Sequence, residues 1–206
     1  TFNLQTKEYK QLRDFPRTEV KSILEDREEN IWIGSNDGLF RYDLNTGQLD
    51  VFKHNPADPQ SLSHNRIQHL MMDQKGTLWL GTSGGLNRMT PGTEMGEPKF
   101  THWRTTNSNL PHDEVWCVID GADGTLWMSC GNRISHFFPQ SGNFRNYDHS
   151  DGLHGQSIYK GLRGYGGEIY FSSRDGLIVF HPDSLLDNPY IPPVAITGFY
   201  IRNEPV

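Results

Sequence analysis

The chain has 206 residues, of which 34% are hydrophobic and 12% aromatic, and its formal net charge is −6 at pH 7. This length allows one or two domains with a sizeable core. Acidic and basic residues are interspersed without a basic run, which argues against nucleic acid as a partner, because phosphate binding needs clustered Lys and Arg. No apolar stretch approaches the ~20 residues that cross a bilayer. We therefore expect contact with a membrane only through a flanking helix outside this sequence.

A tryptophan-bearing segment recurs along the chain. Its copy at residues 73–89 reads DQKGTLWLGTSGGLNRM. The aromatic residues of the four copies, Trp32, Trp79, Trp127 and Tyr170, are separated by 47, 48 and 43 residues. A period of about 40–50 residues is typical of one four-stranded blade per copy. The predicted fold class is therefore all-β, a partial β-propeller of about four four-stranded antiparallel blades.

Each complete copy predicts an inner strand, the aromatic strand, a third strand and an outer strand, in that order. Residues 6–12 resemble the outer strand of a preceding blade. Trp32 and the isoleucines beside it place apolar side chains on both faces of their strand, which favours a sheet packed between two neighbouring sheets. The predicted strands are 20–25, 31–34, 39–43, 49–53, 67–72, 78–81, 86–89, 99–104, 115–119, 126–129, 134–138, 143–147, 168–172 and 177–181.

Two departures from the repeat are visible. In the third copy the turn 131–133 reads GNR in place of the usual Gly-Leu ending, so its shape should differ. After residue 181 no outer strand of the earlier kind follows, and residues 188–193 contain three prolines, which favour an extended linker. We therefore assign residues 1–187 to the blades of an incomplete propeller, and residues 188–206 to a linker with the first strand of a following module.

The segment 76–88, GTLWLGTSGGLNR, resembles the propeller repeats of bacterial hybrid two-component sensors. The connection 55–63 is similar to the link between blades in that family, and the tail from residue 191 is similar to the lead into its triple-tyrosine, immunoglobulin-like domain. The resemblance implies a periplasmic sensing region of an inner-membrane protein. In the family a membrane helix, a histidine kinase and usually a DNA-binding output follow, and many members respond to oligosaccharides.

No catalytic or metal centre is apparent in the sequence. The nine histidines lack metal-ligand spacing, and neither Cys-x-x-Cys nor Gly-x-Ser-x-Gly occurs. We therefore predict no catalytic residue, no metal and no cofactor. The regular period assigns the recurring tryptophans to the core between blades rather than to sugar stacking. Cys117 and Cys130 are expected on adjacent strands, with Cys117 opposite Met128, as two buried thiols rather than a disulfide.

Binding residues are predicted in the connections between blades, which meet on one face of a propeller near its central channel. Arg, Asn, Gln and His form directional hydrogen bonds to sugar hydroxyls, and Tyr159 or Trp103 could stack on a sugar ring. For each residue the alternative is an ordinary solvated loop. The predicted ligand-binding residues are His64, Asn65, Arg66, His112, Glu114, His154, Gln156 and Tyr159.

These observations predict a non-catalytic segment of an extracytoplasmic sensor that binds a small polar ligand, such as an oligosaccharide, and relays to a kinase output. A propeller-type polysaccharide lyase or glycosidase is one alternative, and a protein-interaction scaffold is another. Four blades alone would leave two apolar faces open. We therefore expect either the remaining blades of a larger propeller or a second copy of the chain to cover them.

Overall fold

A computed structural model of the chain describes residues 15–92, 97–153 and 157–185, together with the backbone of 200–201 and 204–205. Helical structure in these ranges consists of two short 3₁₀ turns, His149–Asp151 and Pro182–Ser184. Neither is long or apolar enough to span a bilayer. The strand predicted at residues 6–12 and the linker predicted at 188–193 lie outside the described residues.

The repeat predicts most strand positions to within one or two residues. The strands in chain order are β1 (Val20–Glu25), β2 (Asn30–Ser35), β3 (Gly38–Asp43), β4 (Leu49–Phe52), β5 (Ile67–Met72), β6 (Leu78–Thr82), β7 (Gly85–Thr90), β8 (Lys99–Trp103), β9 (Val115–Asp120), β10 (Leu126–Cys130), β11 (Arg133–Phe138), β12 (Asn143–Tyr147), β13 (Ile158–Arg163), β14 (Ile169–Ser173), β15 (Gly176–Phe180), β16 (Tyr200–Ile201) and β17 (Glu204–Pro205).

Consecutive strands pair antiparallel and form separate sheets. Sheet 1 contains β1–β4, sheet 2 contains β5–β8, sheet 3 contains β9–β12, and sheet 4 contains the three strands β13–β15. The strands β16 and β17 form a short separate hairpin. The predicted all-β partial propeller is confirmed.

The first strand of every sheet lies at the centre of the assembly. These inner strands, β1, β5, β9 and β13, contact one another in chain order, and each sheet extends outward from its inner strand. This is the radial arrangement of propeller blades. It brings the first residues of all four inner strands to the same face as the connections between blades.

The recurring tryptophans pack between successive sheets, as predicted. Trp32, Trp79 and Trp127 are 4%, 2% and 2% exposed. Trp32 packs against Leu78 and Leu80 of the next sheet, and the other two tryptophans occupy the same position in the next two interfaces. Each sheet covers the apolar face of its neighbour. The hydrophobic core therefore consists of three separate layers, one between each pair of successive sheets.

Each buried indole in the first two sheets has a specific polar partner. Trp32 Nε1 donates to Asp26 Oδ2 at 2.7 Å, and Trp79 Nε1 donates to Asp73 Oδ2 at 2.9 Å. Burial of Asp26 disfavours its ionised form, but hydrogen bonds from Asn30 and Trp32 outweigh burial and lower the pKa of the carboxyl. In these two sheets the aspartate that opens the turn therefore holds both the turn backbone and the tryptophan of the following strand.

The turns between second and third strands require glycine at one position. Gly38 and Gly85 have φ of 119° and 111°, a region that L side chains rarely adopt. In sheet 3 the positive φ moves to Gly131, at 58°, and Arg133 occupies the position equivalent to Gly38. This turn therefore differs in shape, as its sequence predicts.

The two cysteines are buried and free, as predicted. Their register differs from the prediction by one residue, since Cys117 lies opposite Ser129 and Met128 lies opposite Val118. The reason is the turn between β9 and β10. Gly121 N bonds Thr125 O at 2.9 Å and closes a longer loop than the predicted two-residue turn, which moves the pairing by one position.

Candidate functional site

The connections between blades lie against the turns between second and third strands, on one face of the assembly. We call this the connection face. Gly38 N donates to Asn65 O at 2.8 Å, and Gly85 N donates to Asp113 O at 2.6 Å in the equivalent contact of the next repeat. These repeated backbone bonds fix each connection to the preceding blade, so the loop side chains project from a rigid base.

His64 and His112 occupy equivalent positions in successive connections. In each, Nδ1 accepts a hydrogen bond at 2.9 Å from the backbone N–H two residues later, at Arg66 and Glu114. Both imidazoles are exposed. Because Nδ1 is the acceptor, the neutral ring carries its proton on Nε2 and presents an N–H donor to solvent.

The neighbouring predicted site residues make contacts that hold the connections in place. Asn65 Oδ1 accepts from His54 N at 2.7 Å. Arg66 O accepts from Ser83 N at 3.1 Å, and Glu114 O accepts from Gly131 N at 3.3 Å. The Arg66 Nε atom is buried and meets no hydrogen-bond acceptor among the described residues.

The structure divides the predicted residues into separate groups. His64, Asn65 and Arg66 lie together at the second blade, and His112 and Glu114 lie together at the third. Tyr159 lies on the inner strand of the fourth. His154 and Gln156 lie outside the described residues.

A cavity of about 500 Å³ opens beside His112. Its polar wall includes Asn132, Arg133 and Asp148, three residues that the repeat analysis did not select. Hydrogen bonds from Ser150, and less strongly the charge of Arg133, lower the pKa of the Asp148 carboxyl. Arg133 Nε lies 3.4 Å from Asp148 Oδ2. The cavity therefore presents an imidazole, a carboxamide and an ion pair, all groups suited to sugar hydroxyls.

The inner strands are joined by side-chain bonds around the central axis. Ser22, His69 and Cys117 are each the third residue of their strand. Ser22 Oγ accepts from Leu70 N at 3.0 Å, His69 Nδ1 accepts from Val118 N at 3.3 Å, and Cys117 Sγ lies 3.7 Å from the Gly161 carbonyl oxygen, to which it donates. We call this series the axial relay. The fourth residue of the next inner strand is the partner each time.

Lys160 holds the equivalent third position of β13, and its Nζ donates to the Gln68 carbonyl oxygen on β5 at 2.8 Å. Burial, and less strongly the charge of Lys21, lower the pKa of this ammonium group. The bond spans from sheet 4 to sheet 2. The Lys160 side chain therefore extends past β9, the inner strand of sheet 3, which lies between sheets 2 and 4.

Two aromatic rings on neighbouring inner strands contact each other. Trp116 and Tyr159 form an edge-to-face pair with centroids 5.7 Å apart, and Tyr159 is 39% exposed. Trp103, the other predicted sugar-stacking residue, instead packs against Trp79 and Phe137 inside a core layer. The sequence analysis suggested that Trp103 could stack on a sugar ring. It did not anticipate that this outer-strand residue packs against the core between two sheets.

The described ranges contain no group of three or more His, Cys, Asp or Glu residues that could hold a metal ion. Burial raises the pKa of Cys117 to about 11 and that of Cys130 to about 12. Both thiols are therefore protonated and unreactive at neutral pH.

Comparison with known proteins identifies the repeats. A family model described as two component regulator propeller matches residues 14–37 and 61–84. The chain is 25% identical over 224 aligned residues to histidine kinase P4 of Formosa agariphila, an alignment covering 85% of the chain and 16% of that protein. The chain thus spans about one sixth of this relative's length.

Solved structures show the same architecture. The extracellular domain of a hybrid two-component system from B. thetaiotaomicron superimposes with a TM-score of 0.70 and 27% identity, over 91% of this chain and 26% of that one. A virginiamycin B lyase from Staphylococcus aureus has a TM-score of 0.57 and 15% identity, over 82% of this chain and 57% of the lyase, which shows a shared fold alone. Two segments of the chain thus match the two component regulator propeller model, and the whole chain resembles the extracellular domain of a hybrid two-component system.

Proposed function

We propose that the chain is an extracytoplasmic, ligand-sensing propeller segment of a bacterial two-component receptor. It lies in the periplasm, binds an oligosaccharide on the connection face and relays the binding to a kinase output. The observation that supports this most is the match over 91% of the chain to an extracellular sensor domain. The segment itself is non-catalytic in this proposal.

The connection face supplies the groups for such a ligand. The exposed Nε2–H of His112, the Asn132 carboxamide and the Arg133 guanidinium line the cavity and can hydrogen-bond sugar hydroxyls. Tyr159 presents an aromatic face for a sugar ring. His64, Asn65, Arg66 and Glu114 extend the same face, and His154 and Gln156 complete the proposed set.

Calorimetric titration of the full chain with a panel of oligosaccharides tests this proposal. We expect saturable binding without turnover, and His112→Ala should weaken it on the order of tenfold, as for the loss of one hydrogen bond. His64→Ala removes the equivalent contact in the preceding connection. Loss with His112→Ala alone assigns the ligand to the cavity, whereas loss with both assigns it to the whole face. Hydrolysis or elimination of a sugar would refute the sensor proposal, as would the absence of binding across the panel.

We propose further that the two end sheets pack against other blades, either the rest of a larger ring or a second copy. Sheet 1 exposes Ile23 and Val51, and sheet 4 exposes Leu162, Leu177 and Val179. These positions correspond to the apolar faces that are covered at the three internal interfaces. Sedimentation of the full chain tests the second-copy form, which predicts a concentration-dependent dimer. A monomer at all concentrations would leave only covering by further blades.

A further inference from the structure

A cavity of about 530 Å³ lies between sheets 2 and 3, apart from the cavity beside His112. We call it the interblade cavity. Its wall comes mainly from the turns that follow β5, β9 and β11. Since successive turns of an antiparallel sheet alternate between its two ends, these turns lie on the face opposite the connection face. The interblade cavity is therefore separate from the predicted binding residues, and none of the described ones lines it.

Arg88 lines the interblade cavity with a guanidinium group that has no anionic partner. Its Cζ atom lies 6.0 Å from the ring centroid of Trp79 and 5.7 Å from that of Trp103. Arg88 forms no ion pair with a carboxylate of the described ranges. The two rings therefore orient the guanidinium, while its N–H donors lack a charged acceptor.

The equivalent arginine of sheet 1 shows what Arg88 lacks. Arg41 stacks on Trp32 with Cζ 5.8 Å from the ring centroid, and its Nε and Nη2 donate to Asp50 Oδ2 at 2.9 and 2.5 Å. Arg41 lies opposite Asp50 on the outer strand, whereas Arg88 lies opposite Thr101. Sheet 1 therefore supplies a carboxylate for its arginine, and sheet 2 supplies none.

Asp120, on the sheet 3 side of the interblade cavity, has an unused acceptor. In sheets 1 and 2 the turn aspartates Asp26 and Asp73 accept from an indole through Oδ2. The aspartate and the tryptophan are six residues apart there, but the spacing in sheet 3 is one residue longer. Among the described residues, Asp120 accepts from Ala122 N alone, at 2.9 Å through Oδ1. Its Oδ2 therefore lacks the donor that the other two sheets provide.

The mixed charge of the wall determines which ligand fits. Burial disfavours the ionised form of Asp123, but hydrogen bonds from Thr125 outweigh burial and lower the pKa of the carboxyl. Two cations and three carboxylates thus face one space, which gives a charged ligand of either sign no net advantage. A hydroxyl group both accepts from a guanidinium and donates to a carboxylate. The charged residues of the wall are Asp73, Lys75, Arg88, Asp120 and Asp123.

We propose that the interblade cavity is a second binding site, which takes an uncharged saccharide whose hydroxyl groups accept from Arg88 and donate to Asp120. This site goes beyond the proposed function, because it lies on the other face and uses none of the same residues. Gln74 Nε2 already bonds the Ala122 carbonyl oxygen across the two sheets at 3.5 Å. A saccharide held by Arg88 and Asp120 joins sheets 2 and 3 at the same place.

The indole N–H resonances of the full chain, labelled with heavy nitrogen on its five tryptophans, test this inference. Trp79 Nε1 is bonded to Asp73 Oδ2, and both residues line the interblade cavity. The probes are cellobiose, lactose, mannobiose and xylobiose, with digalacturonate as the charged counterpart. We expect a neutral disaccharide to shift the Trp79 resonance in a saturable manner, and digalacturonate to bind more weakly, because three carboxylates line the cavity.

Two variants and a matched control identify the contact. Arg88→Gln should weaken the binding seen at Trp79 on the order of tenfold, as for a lost hydrogen bond to a charged group. Thr101→Asp places a carboxylate opposite Arg88, as Asp50 lies opposite Arg41, and should weaken binding while the arginine remains. Arg41→Gln removes the equivalent arginine outside this cavity and should leave the affinity unchanged. Circular dichroism of each variant verifies folding.

The outcomes separate this inference from the connection-face proposal. A Trp79 resonance that no neutral probe shifts overturns the inference, and calorimetric binding under the same conditions then belongs to the connection face. Equal affinity at Trp79 in Arg88→Gln, Thr101→Asp and the unmodified chain also overturns it, as does tighter binding of digalacturonate. A Trp79 shift that Arg88→Gln weakens and His112→Ala does not supports the second site, whether or not the connection face binds a sugar.

Discussion

Replacing His69 tests whether the axial relay stabilises the packing of blades. Burial, reinforced by the charge of Lys160, lowers the pKa of His69 to about 4. The unfolded value is about 6.5. The unfolded chain therefore binds a proton at this site as the pH falls below about 6.5, whereas the folded chain does not until about pH 4. Stability from this group is complete above the unfolded pKa, and at most about 3 kcal/mol is lost as the pH falls toward 4.

The variant His69→Phe retains the ring volume but removes both the acceptor and the titration. The free energy of unfolding at pH 7.5 should fall by about 1–3 kcal/mol, because the buried Val118 N–H loses its partner. Its dependence on pH between about 6.5 and 4 should become shallower. Burial also lowers the pKa of His64, His102 and His136, so the difference between variant and parent isolates the His69 contribution.

Urea unfolding followed by tryptophan fluorescence at pH 7.5, 6.0 and 5.0 measures both effects. Ser22→Ala is the matched control, since Ser22 Oγ makes the equivalent relay bond to Leu70 N and does not titrate. This control should lower stability equally at every pH. An unchanged pH slope in His69→Phe would show that the imidazole is solvated in the folded chain, and the axial relay would then lose its central member.

Three further predictions follow from the blade architecture. Gly85→Ala should destabilise the chain by more than about 1 kcal/mol in chemical denaturation, because its φ of 111° excludes most side chains and a Cβ there would overlap a backbone carbonyl. Trp79→Phe should cost at least about 1 kcal/mol through the lost bond to Asp73 Oδ2, and Asp73→Asn should cost less, since an amide oxygen still accepts. Cys117 and Cys130 should resist iodoacetamide at pH 8 when folded and react after denaturation, as mass spectrometry will show, because burial raises the pKa of both thiols.

The sequence predicts the parts of this fold that depend on periodicity. Trp32, Trp79 and Trp127 recur because every blade must bury the same face, so their positions determine strand order, strand number and the location of the core. The β9–β10 register was wrong by one residue, because it depends on a loop closed between Gly121 and Thr125 that leaves no hydrophobic signal.

The side chains of the inner strands were harder to predict for a different reason. The axial relay uses Ser22, His69 and Cys117, and Lys160 occupies the same repeated position. These side chains share no chemical type that a repeat search could recognise. What these residues share is their place in the repeat, since each is the third residue of its inner strand. Trp116 was missed in the same way, since it appears in the sequence as another apolar residue of a strand. Equivalence of position, once the repeat is aligned, is the signal that finds these residues.

The proposed ligand groups and the bonds between blades share the same short strands. Tyr159 and Lys160 are adjacent on β13, and the next residue, Gly161, accepts the relay bond from Cys117. A ligand can change blade packing only through contacts that differ between two arrangements. Lys160 offers such a contact, because its nitrogen is bonded to the Gln68 carbonyl of sheet 2 in this arrangement. A ligand that displaced this bond would therefore change the contact between sheets 2 and 4, and with it the geometry of the propeller.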